Sequence, residues 1–177
     1  LPLAVGRKKT IALIKEAVRD DALIGVVSQR RAEDEDPSET DLYTVGTVAR
    51  IVKLLKMGDD NYSLVVQGLA RFRVKTLAQT DPFLKAKIEP VSVDEEAEGD
   101  VEVQALAINL KKLASEVIDL MPDLPAAATE LIESITEPGH LADLIAANID
   151  VPIDEKQTVL ETIDVKGRMK LVMELLN

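Results

Sequence analysis

A chain of 177 residues with 46% apolar and 30% charged side chains can hold one domain or two small ones, and is too apolar to be disordered. It has no cysteine and a single histidine, His140, which excludes a disulfide framework and thiolate chemistry and argues against a zinc site. A net charge of −11 and an aromatic content of 2% (Tyr43, Tyr62, Phe72, Phe83) argue against phosphate binding and base stacking.

No apolar run approaches a membrane span, so no membrane partner is expected. No signal peptide is visible, and with Leu at position 1 the natural start is expected upstream. The lack of cysteine is compatible with the cytosol.

In chain order, "TIALIKEAVRD" at 10–20 puts Ile11, Ile14, Ala17 and Val18 on one helical face. "ALIGVVSQ" at 22–29 is a continuous apolar run, short enough for a buried strand, and 30–41 is a charged, Pro-containing loop. Residues 42–57 are β-rich, and their alternation slips near Arg50, which predicts a bulge. "GDDN" at 58–61 is a hairpin turn signal.

The strand that follows contains "VVQGLARFRV" at 65–74. Its even positions, from Tyr62 through Leu64, Val66, Gly68, Ala70 and Phe72 to Val74, are apolar or small. Its odd positions end in Arg71, Arg73 and Lys75, so the basic side chains lie opposite the core, where a solvated face is their ordinary role. Gly68 and Ala70 leave little bulk in mid-strand, which suits a bulge or a close crossing of two sheets. "DPF" at 81–83 is a turn, and 83–91 is a further strand. Antiparallel strands with short turns and one helix predict a small barrel or sandwich over residues 1–92.

Near residue 92 an acidic connector begins and the period changes. Val103, Leu106, Leu110, Leu113, Val117 and Leu120 make one apolar seam of a helix that "MPDLP" at 121–125 ends. Helices are predicted at 126–136, at 137–149 with Pro138 in the first turn, at 154–163 with Asp154 as N-cap, and at 165–177. The last stops in mid-pattern, and the natural chain is expected to continue. Met169 and Met173, four apart on it, are expected to pack the bundle or its continuation. The fold expected is therefore α+β, a small antiparallel β lobe over 1–92 followed by a helical bundle over 93–177. Charge divides similarly: residues 1–90 carry 15 Lys/Arg against 13 Asp/Glu, and 91–177 carry 6 against 19.

Catalytic signatures are missing. There is no Gly-x-x-x-x-Gly-Lys-Ser/Thr phosphate loop and no Gly-x-Ser-x-Gly elbow. His140 sits at a helix start, where an exposed or capping role is the common one. The residues alone describe a non-catalytic α+β module.

Several words, taken in order, resemble the N-terminal domain of the ATP-dependent protease Lon. They are "LPLAVGRKKTIALIKEAV", "LIGVVSQR", "DLYTVGTVARIVKLL", "LVVQGLARFRV", "SITEPGHLADLIAANI" and "KQTVLETIDVKGRMKLVMELL", and they span nearly the whole chain. The resemblance implies a PUA-like β lobe, a helical lobe, recognition of unfolded or damaged proteins, support of a hexamer, and a bacterial cytoplasmic location. The family usually has a further strand before "LPLAVGR". Its ATPase and Ser-Lys peptidase modules have no counterpart here, so no catalytic residue maps to this chain, and the family's ATP and magnesium are expected to serve those modules.

Unfolded proteins expose apolar side chains, so a surface that recognises them should offer apolar patches of its own. Leu55, Met57 and Tyr62 surround the turn at 58–61, and Phe83 and Leu84 follow the turn at 81–82; these five are the candidate binding residues. The competing role for Leu55, Tyr62 and Phe83 is the rim of the β-lobe core. A nucleic-acid track along Arg71, Arg73, Lys75, Lys85 and Lys87 is the rival function, disfavoured by the acidic second half. A stand-alone adaptor without catalytic modules is the third.

Overall fold

A computed structural model describes residues 2–92, 99–120 and 127–177. The acidic connector at 93–98 and the proline-containing stop at 121–126 lie outside the described residues. The chain forms two compact units, Leu1–Ser92 and Val93–Asn177.

The first unit runs β1 (Pro2–Val5), α1 (Lys8–Arg19), β2 (Ile24–Val26), a short 3-10 helix (Glu39–Asp41), β3 (Val45–Lys56), β4 (Tyr62–Gln79) and β5 (Lys85–Pro90). All five strands belong to one antiparallel sheet of order β1-β4-β3-β2, with β5 also paired to β4. β3 takes one edge of β4 over residues 62–73, so β1 and β5 share the other edge at its two ends. α1 lays Ile11, Ile14 and Ala17 into the core beside Val5, Ala49, Leu64 and Val66. Val18, expected on that face, is 48% exposed in the last turn, where it lines a groove against β3.

The slip near Arg50 is real. The β3–β4 register shifts between Val48 and Ala49 and again between Ile51 and Lys53, on either side of Arg50. The first shift leaves Leu69, between Gly68 and Ala70, as the extra residue; the second leaves Val52. Two more shifts skip Lys75 and Ala78 on β4. Beyond Lys75 the half-buried positions become odd, Leu77 and Gln79, because each extra residue inverts the pleat.

Two strands differ from expectation. The apolar run at 22–29 yields three paired residues at the sheet edge, none fully buried, with Leu23 51% exposed. A continuous apolar run does not fix strand length where only one neighbour supplies hydrogen bonds. The strand expected at 83–91 is Lys85–Pro90, exposed at all six positions. Its lysines, Glu89 and Pro90 suit an edge that must not recruit other strands.

Neighbouring residues of α1 reach both ends of β4. The Lys15 ammonium stands 5.9 Å from the Tyr62 ring, and Glu16 pairs at 3.3 Å with Lys85, which faces Gln79 in the ladder.

The second unit contains α2 (Val101–Asp119), α3 (Ala127–Ser134), α4 (Pro138–Asn148), α5 (Ile153–Glu161) and α6 (Val165–Leu176). Its core joins Val103, Ala107, Leu110 and Ala114 of α2 to Leu141, Ala142 and Ile145 of α4 and to Val165, Met169 and Val172 of α6. The expected leucine seam is therefore displaced. Leu106, Leu113 and Val117 are half-buried flanks, and Leu120 is 83% exposed. A strict 3-4 repeat drifts by about 20° per heptad round a straight α-helix, and the small Ala107 and Ala114 take the centre, where helices approach closely.

Caps follow the chemistry of free N–H groups. Asp100 accepts from the Glu102 N–H at 2.8 Å and Asp164 from the Gly167 N–H at 2.6 Å. Asp154 is not the cap of α5. Pro152 is, and Asp154 with Glu155 sits in the first turn, where carboxylates favour the helix dipole. Met169 is buried and Met173 packs beside it against the same core. His140 is exposed. Among the described residues no helix is long and apolar enough to cross a membrane.

Candidate functional site

The β3–β4 hairpin end is built from its ladder outward. The Met57 N–H donates to the Asn61 carbonyl at 2.8 Å and closes the turn over Gly58, Asp59 and Asp60. Below it, Leu54 faces Leu64 across the ladder and turns into the core, so Leu55, opposite Ser63, points to the other face of the sheet. The bulge at Val52 makes this so, because unbroken alternation from half-buried Ile51 would have put Leu55 inside. Leu55 is 42% exposed and Met57 70% exposed. The hairpin end therefore presents two flexible apolar side chains on a hydrogen-bonded base.

The other three predicted residues have different places. Tyr62, at the foot of the hairpin, is half-buried against the core with the Lys15 ammonium over its ring. Leu84 is half-buried. Phe83 is only 6% exposed, and its ring has the Lys85 ammonium 5.0 Å away. Its carbonyl accepts from the Gln79 side chain at 2.9 Å. As an exposed anchor Phe83 is thus corrected: a large ring beside a half-buried strand end gains more from burial than from solvent. Leu55 and Met57 belong to one end of the hairpin; Phe83 and Leu84 follow the opposite end of β4.

A neighbouring surface is not evident from the sequence. Val52 is 61% exposed because it is the unmatched residue of its bulge. With Val18, Ala22, Ile51 and Leu54 it lines a groove of about 160 Å³, rimmed by Arg50, Lys53 and Asp21. The slip at Arg50 was the available signal, since a bulge sends its extra side chain out of the regular alternation.

The basic stripe is partly neutralised. Lys75 pairs with Glu89 and holds that carboxyl below its usual range, with Arg73 facing Glu89 in the ladder. Lys85 pairs with Glu16. Among the described residues no three His, Asp or Glu side chains are placed to hold a metal ion.

A family described as the ATP-dependent protease La (LON) substrate-binding domain matches residues 1–177. "Lon protease" of Anaeromyxobacter dehalogenans is 76% identical over 177 residues, covering 100% of this chain and 21% of that protein. "Lon protease 2" of Myxococcus xanthus is 76% identical over the same span, and "Lon protease" of Dictyoglomus thermophilum is 42% identical over 172 residues. The chain thus spans 21% of the length of each of these relatives. Among solved structures, the N-terminal domain of a Mycobacterium avium complex Lon protease superposes with a TM-score of 0.77 at 21% identity, covering 99% of this chain and 88% of that one. A Lon N-terminal domain protein from Xanthomonas campestris gives 0.66 at 16% identity, covering 98% and 88%. At those identities the likeness establishes the fold alone.

Proposed function

Because this chain belongs to the substrate-binding domain family of the ATP-dependent protease La (LON), we propose that it captures unfolded or damaged proteins through exposed apolar side chains and holds them for degradation by the longer protein. The observation that carries the reading is the hairpin end, where Leu55 and Met57 stand exposed on a hydrogen-bonded base. A thioether side chain repacks easily against varied partners, which suits clients without a common sequence. The single contact is small, so capture by one copy is weak. Several copies, as in a hexamer, would multiply it through effective concentration. On this reading the chain itself is non-catalytic, works in the cytoplasm, and leaves ATP, magnesium and peptide-bond hydrolysis to other modules.

A photo-crosslinker placed at Met57 tests the assignment of the surface. It should trap a reduced, denatured model protein and leave the folded form of that protein untouched. A crosslinker at exposed Glu39 is the control. Equal trapping at both positions would refute the hairpin end as the capture surface.

A further inference from the structure

We propose that the helical unit carries a second client groove, between α2 and the α3–α4 junction, that takes one large apolar side chain flanked by Lys or Arg in an unfolded segment. This rests on the client-capture reading above and adds a charge preference to it.

The groove has a volume of about 270 Å³. Its floor is apolar: Ala107, Pro138 and Leu141 are buried there, and Ile135 is half-buried. One wall is Ile108, which is 69% exposed on a helix whose other apolar residues mostly turn inward. A β-branched side chain held in water beside an apolar floor is a site that gains from being covered.

Charge selects the occupant. Glu137 lines the groove, and Glu130 and Glu133 are exposed on the adjoining α3. Lys111 also lines the groove and keeps its charge, but it donates at 2.8 Å to the Glu133 carbonyl and is outnumbered by Glu130, Glu133 and Glu137. The unit's other basic side chains are engaged as well. Lys112 pairs with Glu116, Lys166 with Asp100 and Glu102, Lys170 with Glu102, and Arg168 with Asp143, while Lys156 donates to the Ala147 carbonyl. Residues 91–177 carry 6 basic against 19 acidic side chains, so an arriving segment meets a negative field. The helical unit of a second copy would bring the same acidic surface and be repelled; a Lys- or Arg-flanked segment is attracted.

The test uses chain 1–177 and labelled, unstructured peptides with one central Leu, flanked by Lys, Ser or Glu. At low salt the Lys-flanked peptide should bind at least about tenfold tighter than the Glu-flanked one, and the gap should narrow as salt rises. Ile108→Ser should weaken the Lys-flanked peptide about fivefold or more with an unchanged melting temperature. The double change Glu133→Gln, Glu137→Gln should close much of the gap between peptides and spare the Ser-flanked one. Equal affinity for Lys and Glu flanks, or an Ile108→Ser variant that binds as before, overturns the groove. So does a concentration-dependent dimer that Ile108→Ser abolishes, since it would give the groove to a second copy. Capture of a denatured protein is measured in parallel. If it persists while the peptides fail, the groove is refuted and the broader reading stands; if it is absent too, both are refuted.

Discussion

The ring of Phe72 lies against Gly46, its direct partner across the β3–β4 ladder. A Cβ added to Gly46 would stand 2.8 Å from Phe72 Cζ and 2.5 Å from the Val26 carbonyl oxygen. Gly25, on the next strand, leaves room for the same ring, with a Cβ there 3.0 Å from Cζ. A buried aromatic thus fills the space that glycines on adjacent strands leave open. Gly46→Ala must move backbone as well as ring and should cost about 2–3 kcal/mol, read as a lower urea midpoint. Gly68→Ala is the contrast. Only the Thr47 methyl lies near, at 3.1 Å, and the position is exposed, so its stability should change by no more than about 0.5–1 kcal/mol.

Phe83 and the hairpin end should separate stability from capture. Phe83→Ala removes a buried ring and should destabilise the chain by about 3–5 kcal/mol, measured by chemical denaturation. The paired change Leu55→Asp, Met57→Asp alters exposed side chains and should shift stability by less than about 1 kcal/mol. The same pair should weaken binding of a denatured client about fivefold or more in an anisotropy titration. A stable double variant with undiminished binding would remove the hairpin end from the account.

Acid should loosen the helical unit through one ionic clasp. Lys166 bridges Asp100 and Glu102 at the start of α2, and Lys170 also reaches Glu102, at 3.0 Å. The Lys166 hydrogen bond and the Glu102 N–H hold the Asp100 carboxyl below its usual range; Lys170, then Lys166, do the same for Glu102. Lys166 is raised in turn, chiefly by Asp100. Lowered carboxyl values mean stability that is present above the ordinary carboxylate range and is lost as pH falls through it. A raised lysine means stability lost only as pH climbs through the lysine range. The melting temperature should therefore be flat between about pH 5 and 9 and fall near about pH 3. Lys166→Met should lower the plateau and make the acid fall shallower, as differential scanning calorimetry would show. An identical acid fall in both proteins would remove the clasp from the explanation.

Much of the fold was legible because its signals are local. The α1 stripe at Ile11, Ile14 and Ala17, the turn at 58–61 and the bulges beside Arg50 and Gly68 all announce themselves within a few residues. Features set by partners were not legible. Strand β2 is short because it lies at an edge, and the centre of α2 falls on Ala107 and Ala114 because other helices pack there. The same distinction divides the candidate surface. Met57 follows from its place at the turn, whereas Leu55 faces outward only because the bulge at Val52 inverts the pleat before it. Phe83 is buried by a strand end and a lysine that sequence spacing does not place over it, and Val52 is exposed only because of where the register shifts.

The most direct measurement is a binding titration of chain 1–177 with one model protein in two states, chemically unfolded and native, at equal concentration and salt. Capture through exposed apolar side chains predicts saturable binding of the unfolded form, none of the native form, and binding weakened about fivefold or more in the Leu55→Asp, Met57→Asp variant. Equal binding of both states, or binding of neither, would contradict it.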